Sequence, residues 1–206
     1  MEVALLNHPI VASLLTRLRD KNTSSVEFRI IVRQLTIFLG VDATKDLACR
    51  EKVIETPVSE FRGVEVDASI AIVPVLRAGL GMAEPLFELI PQAEVRHLGL
   101  FRDEVTLQPV TYYQKLGDKP ADVCLLVDPM LATGGTAIAA IDILKKWGAT
   151  DIRFLAILAA PEGIAAVEAV HPDVKICLGA LDEHLNEQGY IVPGLGDAGD
   201  RQYNTL

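Results

Sequence analysis

The chain has 206 residues, of which 50% are hydrophobic, and its 19 basic against 28 acidic residues give a net charge of −9. A chain this apolar is not expected to be disordered, and its length suits one domain with a single core, residues 1–206. The charge argues against a broad nucleic-acid surface and against a polybasic membrane anchor. A net charge does not, however, reveal a local cluster of arginines.

The three cysteines, Cys49, Cys124 and Cys177, lie far apart, and two of them sit inside apolar runs. We therefore expect free thiols rather than disulfides or a thiolate metal site. No basic segment precedes an apolar stretch at the N-terminus, and no apolar run approaches the ~20 residues that span a bilayer. These features predict a soluble cytoplasmic protein.

The first quarter of the chain is predicted to be helical. Apolar residues at helical spacing predict a helix over residues 8–20, with Pro9 in its first turn. Ser24 and Glu27 have the spacing of a capping box and precede a second helix that is expected to end near Gly40. We assign no chemistry to these helices.

From residue 69 onward, short apolar strands alternate with helices. Strands are predicted over 69–75, 95–101, 123–127, 152–159 and 174–180, and helices from about 80 to 89, 136–147 and 162–170. A hairpin is expected with strands 105–107 and 110–113 on either side of Gln108-Pro109. Apolar strands that alternate with helices predict an α/β fold, with a central, mostly parallel sheet covered on both faces. The glycine-rich tail over residues 181–200 shows no periodicity.

The strongest functional signal lies where the strand over 123–127 ends. The segment that follows opens a helix and reads Asp128, Pro129, Met130, Leu131, Ala132, Thr133, Gly134, Gly135 and Thr136. Glycines let backbone N–H groups approach an anion, hydroxyls add donors, and a helix N-terminus adds positive potential. The segment therefore predicts a phosphate cradle, with Asp128 one sugar away on diol hydroxyls. The alternative is a tight strand-to-helix turn without a ligand.

This segment resembles the phosphoribosyl diphosphate (PRPP) motif of type I phosphoribosyltransferases. Most of that family has two adjacent acids after the strand, whereas Pro129 in the second place is the pattern of the uracil phosphoribosyltransferase subgroup. Residues 73–81 resemble the subgroup's pyrophosphate loop, and residues 189–200 resemble its uracil-binding segment. Residues 101–104 and 112–116 resemble its mobile active-site arm.

The resemblance implies a type I phosphoribosyltransferase fold with N-terminal helices, a small C-terminal hood and a hairpin arm. It implies transfer of the phosphoribosyl group of PRPP to uracil, which yields UMP and diphosphate in pyrimidine salvage. Arg77 and Arg102 would then bind PRPP together with residues 128–136. The base would be read through backbone groups of Ile191, Gly196, Asp197 and Ala198. Arg77 and Asp197 are the expected catalytic residues.

Further partners follow from the same resemblance. Mg²⁺ is expected to bind mainly through the substrate diphosphate and waters, so no protein side chain is assigned as a metal ligand. Relatives include enzymes activated by GTP, although no sequence feature places such a site. A homo-oligomer, dimer or tetramer, is expected, with the N-terminal helices and the strands near the hairpin at its interface. Neither nucleic acid nor a membrane is an expected partner.

Two other functions stay open. Some proteins with this fold bind RNA and sense UMP, but an acidic chain without a Lys/Arg run disfavours that role. A purine in place of uracil is the second alternative, against which the tail segment argues. Other polar residues are expected to have surface or structural roles, either as scattered histidines or as a solvated acidic face: His8, His97, His171, His184, Asp182, Glu183 and Glu187. Tyr112 and Tyr113 fit either a strand pair or a lid over PRPP.

Overall fold

The computed structural model of the protein describes residues 1–102 and 109–205. The helices in these ranges are α1 (Pro9–Arg19), α2 (Ser25–Ala43), α3 (Leu80–Leu89), α4 (Gly135–Trp147), α5 (Pro161–Val170) and α6 (Ala198–Tyr203). The strands are β1 (Glu2–Leu5), β2 (Cys49–Glu55), β3 (Glu60–Val66), β4 (Ile70–Leu76), β5 (Glu94–Val95), β6 (His97–Arg102), β7 (Pro109–Lys115), β8 (Val123–Val127), β9 (Met130–Leu131), β10 (Asp151–Ala159), β11 (Lys175–Leu181), β12 (His184–Leu185) and β13 (Ile191–Val192).

Nine of the described strands form the central sheet, in the order β1-β11-β10-β8-β4-β6-β7, with β5 beside β4 and β9 beside β10. Their pairings are parallel except for the antiparallel pair β6–β7. Strand β8 is buried along its whole length, as expected for an apolar strand covered on both faces. The predicted α/β fold with a mostly parallel sheet is confirmed.

Successive residues of each central strand pack into two different cores. Ile70 and Ile72 of β4 face the core shared with α1, α2 and α3. Ala71 and Val73 face the core shared with α4 and α5. Because side chains alternate across a strand, a continuous apolar run is what a sheet sandwiched between helices requires. The helices therefore cover both faces and leave the strand ends open.

Several helix ends follow the signals in the sequence, but α2 continues to Ala43, past the expected end near Gly40, where the absence of a Cβ lets the Leu86 side chain of α3 pack closely. The ring of His8 accepts a hydrogen bond from the backbone N–H of Ile10 at 3.2 Å, which caps α1. The Ser24 hydroxyl accepts one from the Glu27 N–H at 3.3 Å, as in the first half of a capping box. Helix α4 ends at Gly148, whose φ of +106° is readily adopted only by glycine.

None of the described helices combines the length and the apolar composition that a membrane span requires.

Two features of the first third of the chain differ from the prediction. Residues 2–5 form an edge strand, and β2 and β3 form an antiparallel hairpin. All seven residues of β2 are exposed, so the hairpin lacks the alternation of buried and exposed residues that identifies a strand. Salt bridges across it join Glu65 to Lys52 at 2.6 Å and to Arg50 at 3.1 Å.

The second hairpin also differs in detail. Pro109 begins β7 rather than a turn, and residues 109–115 of β7 pair with residues 97–102 of β6. The predicted strand over 105–107 lies outside the described residues. An edge strand tolerates a proline at its first position, because no ladder hydrogen bond from that residue is needed.

Candidate active site

The site lies where the order of the strands reverses. Strands β4 and β8 are parallel neighbours, with Pro74 opposite Val127. From β4 the chain continues to β6 and β7 on one side, and from β8 it continues to β10 and β11 on the other. Ligands of open α/β sheets bind at such a reversal, beyond the carboxyl ends of the strands. Arg77 and Asp128 follow these two strands, so the topology brings both predicted residues to one edge.

A cavity of about 250 Å³ opens at this edge. Three separate segments of the chain line it, through Arg77, Ala78, Asp128, Met130, Asp197, Ala198 and Gly199. The predicted pyrophosphate loop, the start of the predicted phosphate cradle and part of the predicted base segment therefore share one cavity, whereas Thr133–Thr136, Ile191 and Gly196 do not line it.

The start of the phosphate loop is fixed to the sheet. The carbonyl of Pro129 accepts hydrogen bonds from the N–H groups of Ile157 and Leu158 at 3.0 and 3.1 Å. Met130 and Leu131 form β9, which pairs with the end of β10. The loop thus continues the sheet for two residues before α4 begins.

The second half of the loop leads into α4. Gly134 is the N-cap residue with φ of +83°, and no side chain caps the helix there. Thr133 is exposed and Thr136 is partly exposed, so both hydroxyls are accessible. Backbone N–H groups at an uncapped helix N-terminus favour an anion. The helix begins at Gly135, one residue earlier than predicted, and the phosphate cradle stays a prediction.

The pyrophosphate loop is folded tightly against β8. The chain enters it through a cis peptide bond between Leu76 and Arg77. A Cβ atom on Gly79 would lie 2.4 Å from the carbonyl oxygen of Val127, so this approach requires glycine. The Arg77 side chain is 61% exposed and forms an ion pair with Asp200 at 3.4 Å. The guanidinium group is therefore accessible to a ligand in the cavity.

Helix α6 holds the same loop from the other side. The amide of Gln202, a buried residue, donates to the carbonyl of Ala78 at 3.1 Å, and the hydroxyl of Tyr203 donates to the carbonyl of Arg77 at 3.2 Å. Sequence reasoning missed this helix and these two residues. The available signal was the spacing of Asp197 and Asp200, because the Asp197 carboxylate accepts from the Asp200 N–H at 2.8 Å and caps the helix.

Asp128 lies at the floor of the cavity. Burial raises the pKa of its carboxyl group to about 7; a hydrogen bond from the Met130 N–H opposes this shift, and the charge of Asp197 adds to it. An acid with this pKa is part-protonated near neutral pH in the ligand-free chain. A ligand that donates hydrogen bonds, such as a diol, would favour the ionised form.

The base segment forms a small hood at the end of the chain. Strands β12 and β13 pair antiparallel, and the backbone N–H of Leu185 donates to Glu162 at 2.9 Å, which ties the hood to α5. The side chains of Ile191 and Ala198 are buried. Gly196 has φ of +82°, and Asp197 is exposed beside it. The structure therefore brings these four predicted residues to one stretch, with Asp197 and Ala198 in the cavity wall.

Arg102 ends β6, two strands from β8 in the sheet. Asp103 and Glu104, which belong to the same predicted arm, lie outside the described residues. Tyr112 and Tyr113 lie on β7 and are exposed. Their positions agree with the predicted strand. Strand β6, with which β7 pairs, lies beside β4, the strand that leads into the pyrophosphate loop.

Comparisons with known proteins agree on one family. The family model for uracil phosphoribosyltransferase matches residues 5–205. A uracil phosphoribosyltransferase of Roseiflexus castenholzii is 54% identical over 205 residues, which cover 99% of each chain. The chain belongs to the uracil phosphoribosyltransferase family. Another member, from Geobacillus kaustophilus, is 52% identical over 209 residues and 99% of each chain.

Solved structures show which fold the chain shares. A structure from Aquifex aeolicus has a TM-score of 0.92 and 36% identity, and the match covers 98% of this chain and 97% of that one. Adenine phosphoribosyltransferase from Leishmania donovani has a TM-score of 0.60 and 14% identity, over 91% and 87% of the two chains. The second match shows a shared fold alone. The predicted type I phosphoribosyltransferase fold is thereby confirmed, and the chain is an enzyme.

One acidic residue was misassigned from the sequence. Asp182 is 8% exposed and not part of a solvated face, because its carboxylate binds the guanidinium group of Arg19 at 2.5 and 2.7 Å. The acidic residues that follow it, Glu183 and Glu187, are exposed as expected. A partner 163 residues away in sequence leaves no local pattern that could identify the pair.

One histidine and two of the cysteines are buried inside the fold. His171 is buried beside Lys145, with its Nδ1 3.2 Å from the Nζ atom. All three cysteines are free thiols, of which Cys124 and Cys177 are buried. Burial raises the pKa of each of these two thiols to about 11, so both are inert as nucleophiles at neutral pH.

We expect Gly163→Ala to destabilise the fold and distort the phosphate loop of this family member. A Cβ atom at Gly163 would lie 2.4 Å from the Ala132 carbonyl oxygen and 2.8 Å from that of Leu131. Such overpacking costs roughly 1–3 kcal/mol of unfolding free energy, which urea denaturation would measure. Gly135→Ala is the control for folding, because its Cβ would meet only the Thr133 hydroxyl, at 3.9 Å. Equal stability of the two variants would contradict the packing argument.

Proposed function

We propose that the protein transfers the phosphoribosyl group of PRPP to uracil, giving UMP and diphosphate, in a Mg²⁺-dependent reaction of pyrimidine salvage. The observation that carries this proposal is the cavity of about 250 Å³ where Asp128 and Met130 of the phosphate loop meet the arginine loop and the base segment. Family membership over residues 5–205 supports the same reaction. Each segment suits one part of the two substrates.

The phosphate loop suits the 5-phosphate and the ribose. Backbone N–H groups at the start of α4 and the hydroxyls of Thr133 and Thr136 would hold the phosphate, with Gly134 and Gly135 allowing close approach. Asp128, at the floor of the cavity, would accept hydrogen bonds from the two ribose hydroxyls. These bonds favour the ionised carboxylate, since hydrogen bonds to a charged acceptor stabilise the charged form. The remaining residues of the cradle, Pro129, Met130, Leu131 and Ala132, set the course of the loop.

The arginine loop suits the diphosphate. In the reaction, the bond between C1 of the ribose and a diphosphate oxygen breaks, a bond from C1 to a uracil nitrogen forms, and that nitrogen loses its proton. Negative charge develops on the departing diphosphate, so Arg77 would stabilise the transition state more than the ground state. Arg102 would assist it from the end of β6. Catalysis then depends on positioning and electrostatics rather than on a covalent intermediate.

The base segment suits uracil, a flat ring with alternating donors and acceptors. Ile191, Gly196 and Ala198 would present backbone groups to it, since their side chains are buried or absent. Asp197 would lie near the reacting atoms at the junction of base and ribose. The acidic surface of the chain would not oppose a neutral base.

Magnesium fits this cavity as a substrate-borne ion. Asp128 and Asp197 both line it, and the charge of Asp197 contributes to the raised pKa of Asp128, so a cation there would relieve repulsion. The described residues contain no cluster of three His, Cys, Asp or Glu side chains that could hold a metal by themselves. Substrate oxygens and waters would therefore be the main ligands, as Mg²⁺ commonly accepts. When bound, the ion would neutralise charge on the leaving diphosphate.

We also propose that GTP activates the enzyme, from a cavity of about 460 Å³ between α2, α3 and α6. Arg29 lines the cavity with a guanidinium group that donates to the Gln202 carbonyl at 2.9 Å, and Phe87 adds an aromatic face. Arg33 pairs with Glu84 at 3.3 Å and with Glu88 at 2.7 Å, so a phosphate would have to replace these carboxylates, which would release Glu84 for the N–H edge of guanine. Tyr203 lines the same cavity and binds the Arg77 carbonyl, which would couple the two sites. GTP should raise kcat or lower the KM for PRPP; no response to millimolar GTP would contradict this.

A homo-oligomer, dimer or tetramer, is part of the proposal. The β2–β3 hairpin pairs only with itself among the described strands and exposes Val53, Ile54, Phe61 and Val64. A lone two-stranded hairpin is marginally stable, so a second copy of the chain is the expected cover for these side chains. Light scattering should give a mass of at least two chains, and a monomer at micromolar concentration would contradict it.

We place the enzyme in the cytoplasm, where its three free thiols stay reduced.

The test of the main proposal is a steady-state assay. Purified protein with labelled uracil, PRPP and Mg²⁺ should form UMP and diphosphate in equal amounts. Replacement of uracil by adenine, guanine or hypoxanthine should abolish turnover. No UMP over a broad range of pH and Mg²⁺ concentration, or faster turnover with a purine, would overturn the proposal.

A further inference from the structure

One glycine of the base segment has both of its backbone polar groups bound by a buried ion pair. The N–H of Gly194 donates to Asp182 at 2.9 Å, and its carbonyl accepts from Arg19 at 2.9 Å. Arg19 and Asp182 also bind each other, at 2.5 and 2.7 Å. Gly194 has φ of +62°, and a Cβ atom there would lie 2.1 Å from the Ile191 carbonyl oxygen. The ion pair therefore fixes a bend that only glycine can form.

The next carbonyl of the segment is also bound by an arginine. Arg201 donates to the Leu195 carbonyl at 2.8 Å. The same guanidinium group donates to the carbonyls of Leu18 and Asp20, at 2.8 and 2.6 Å, and its Cζ atom lies 4.6 Å from the centre of the Phe28 ring. Arg19 and Arg201 thus join the base segment to the corner between α1 and α2.

These contacts determine where the next N–H groups point. In a trans peptide the carbonyl and the N–H point in opposite directions, and the peptides after Gly194 and Leu195 are trans. Because the Gly194 and Leu195 carbonyls point at guanidinium groups, the N–H groups of Leu195 and Gly196 point away from them. Gly196 is the first residue of the stretch assigned above to the base.

We propose that Arg19, Asp182 and Arg201 are positioning residues for uracil, which orient the backbone groups that read the base. This inference rests on the proposed function, and it extends it to side chains that do not line the catalytic cavity. It also gives the N-terminal helices a role. Helix α1 supplies Arg19, and the carbonyls of Leu18 and Asp20 at its C-terminal end accept hydrogen bonds from Arg201. The phosphate loop and Arg77 make none of these contacts, so the effect should be confined to the base.

The test uses Arg19→Met and Asp182→Asn in the full chain. Each variant removes the ion pair that fixes Gly194, and we expect the KM for uracil to rise about 10-fold or more, since small misplacements of binding groups are costly. The KM for PRPP should stay within about twofold, because the phosphate loop and Arg77 make none of these contacts. Arg17→Met is the matched control, because Arg17 lies on the same helix in an exposed pair with Glu27 at 2.6 Å, and its KM for uracil should not change.

A conservative replacement of Arg19 distinguishes a positioning role from a general effect on the stability of the protein. Arg19→Lys keeps the charge and can reach one partner, so it should recover part of the affinity for uracil that Arg19→Met loses. An unchanged KM for uracil, or a parallel loss of kcat and of affinity for both substrates, would overturn the inference. Failure of both Arg19→Met and Asp182→Asn to fold would likewise assign the pair a structural role only. Absence of UMP formation by the unaltered protein would instead refute the proposed function itself.

Discussion

Replacement of Arg77 with alanine is expected to lower kcat/KM for PRPP by about 100- to 1,000-fold, the loss typical of one removed donor to developing negative charge. The fold should be unaffected, because the side chain is 61% exposed and its ion pair with Asp200 is long at 3.4 Å. Steady-state kinetics with PRPP varied at saturating uracil would measure the loss, and thermal unfolding would measure stability.

Arg17→Ala is the control for this variant. Arg17 is similarly exposed and pairs with Glu27, but it lies on α1 away from the lining of the cavity. Its kcat/KM should match that of the unaltered protein. If Arg77→Ala retained full activity, or if it lost activity only by unfolding, Arg77 would have no direct role at the diphosphate.

Replacement of Asp128 with asparagine is expected to weaken PRPP and to change how stability depends on pH. An amide forms weaker hydrogen bonds to the ribose diol than an ionised carboxylate does, so the KM for PRPP should rise roughly 10- to 100-fold. The same replacement removes a buried acid whose pKa is about 7 in the folded chain.

The sign of the pH effect follows from that pKa. Because the folded pKa of Asp128 lies above its unfolded value, the unfolded chain binds fewer protons between about pH 4 and pH 7. The unaltered ligand-free protein should therefore lose stability from this group as the pH rises through that window, whereas Asp128→Asn should not. From pH 5 to pH 8 we expect the variant to gain roughly 1–3 kcal/mol relative to the unaltered protein. Urea denaturation without Mg²⁺ or PRPP would test this, and parallel pH curves for the two proteins would contradict it.

The parts of the fold that were predictable are those with a local physical signal. The buried strand over 123–127, the glycine loop after it and the stop of α4 at Gly148 all depend on residues close together in sequence. The hairpin of β2 and β3 gave no such signal, since its residues are exposed on both faces. Strand β1 is likewise short and lies at the sheet edge.

The residues of the candidate site were predictable from the sequence, but the contacts that hold them in position were not. Arg77, Asp128 and Asp197 were expected at one site, and the topology brings them to one cavity. What the sequence could not reveal were contacts between distant segments. The pairing of Arg19 with Asp182 and the bond from Tyr203 to the Arg77 carbonyl join residues more than 120 positions apart.

The most direct measurement is a crystal structure of the protein with UMP. The account predicts that the phosphate of UMP lies against residues 133–136, that its ribose hydroxyls reach Asp128, and that its uracil ring contacts the backbone of Ile191 and residues 196–198. The ribose should occupy the cavity that Asp128 and Asp197 line, and the phosphate and the base should extend beyond it to residues 133–136 and to Ile191 and Gly196. UMP bound elsewhere, or bound with its base outside the segment over residues 191–198, would contradict the account.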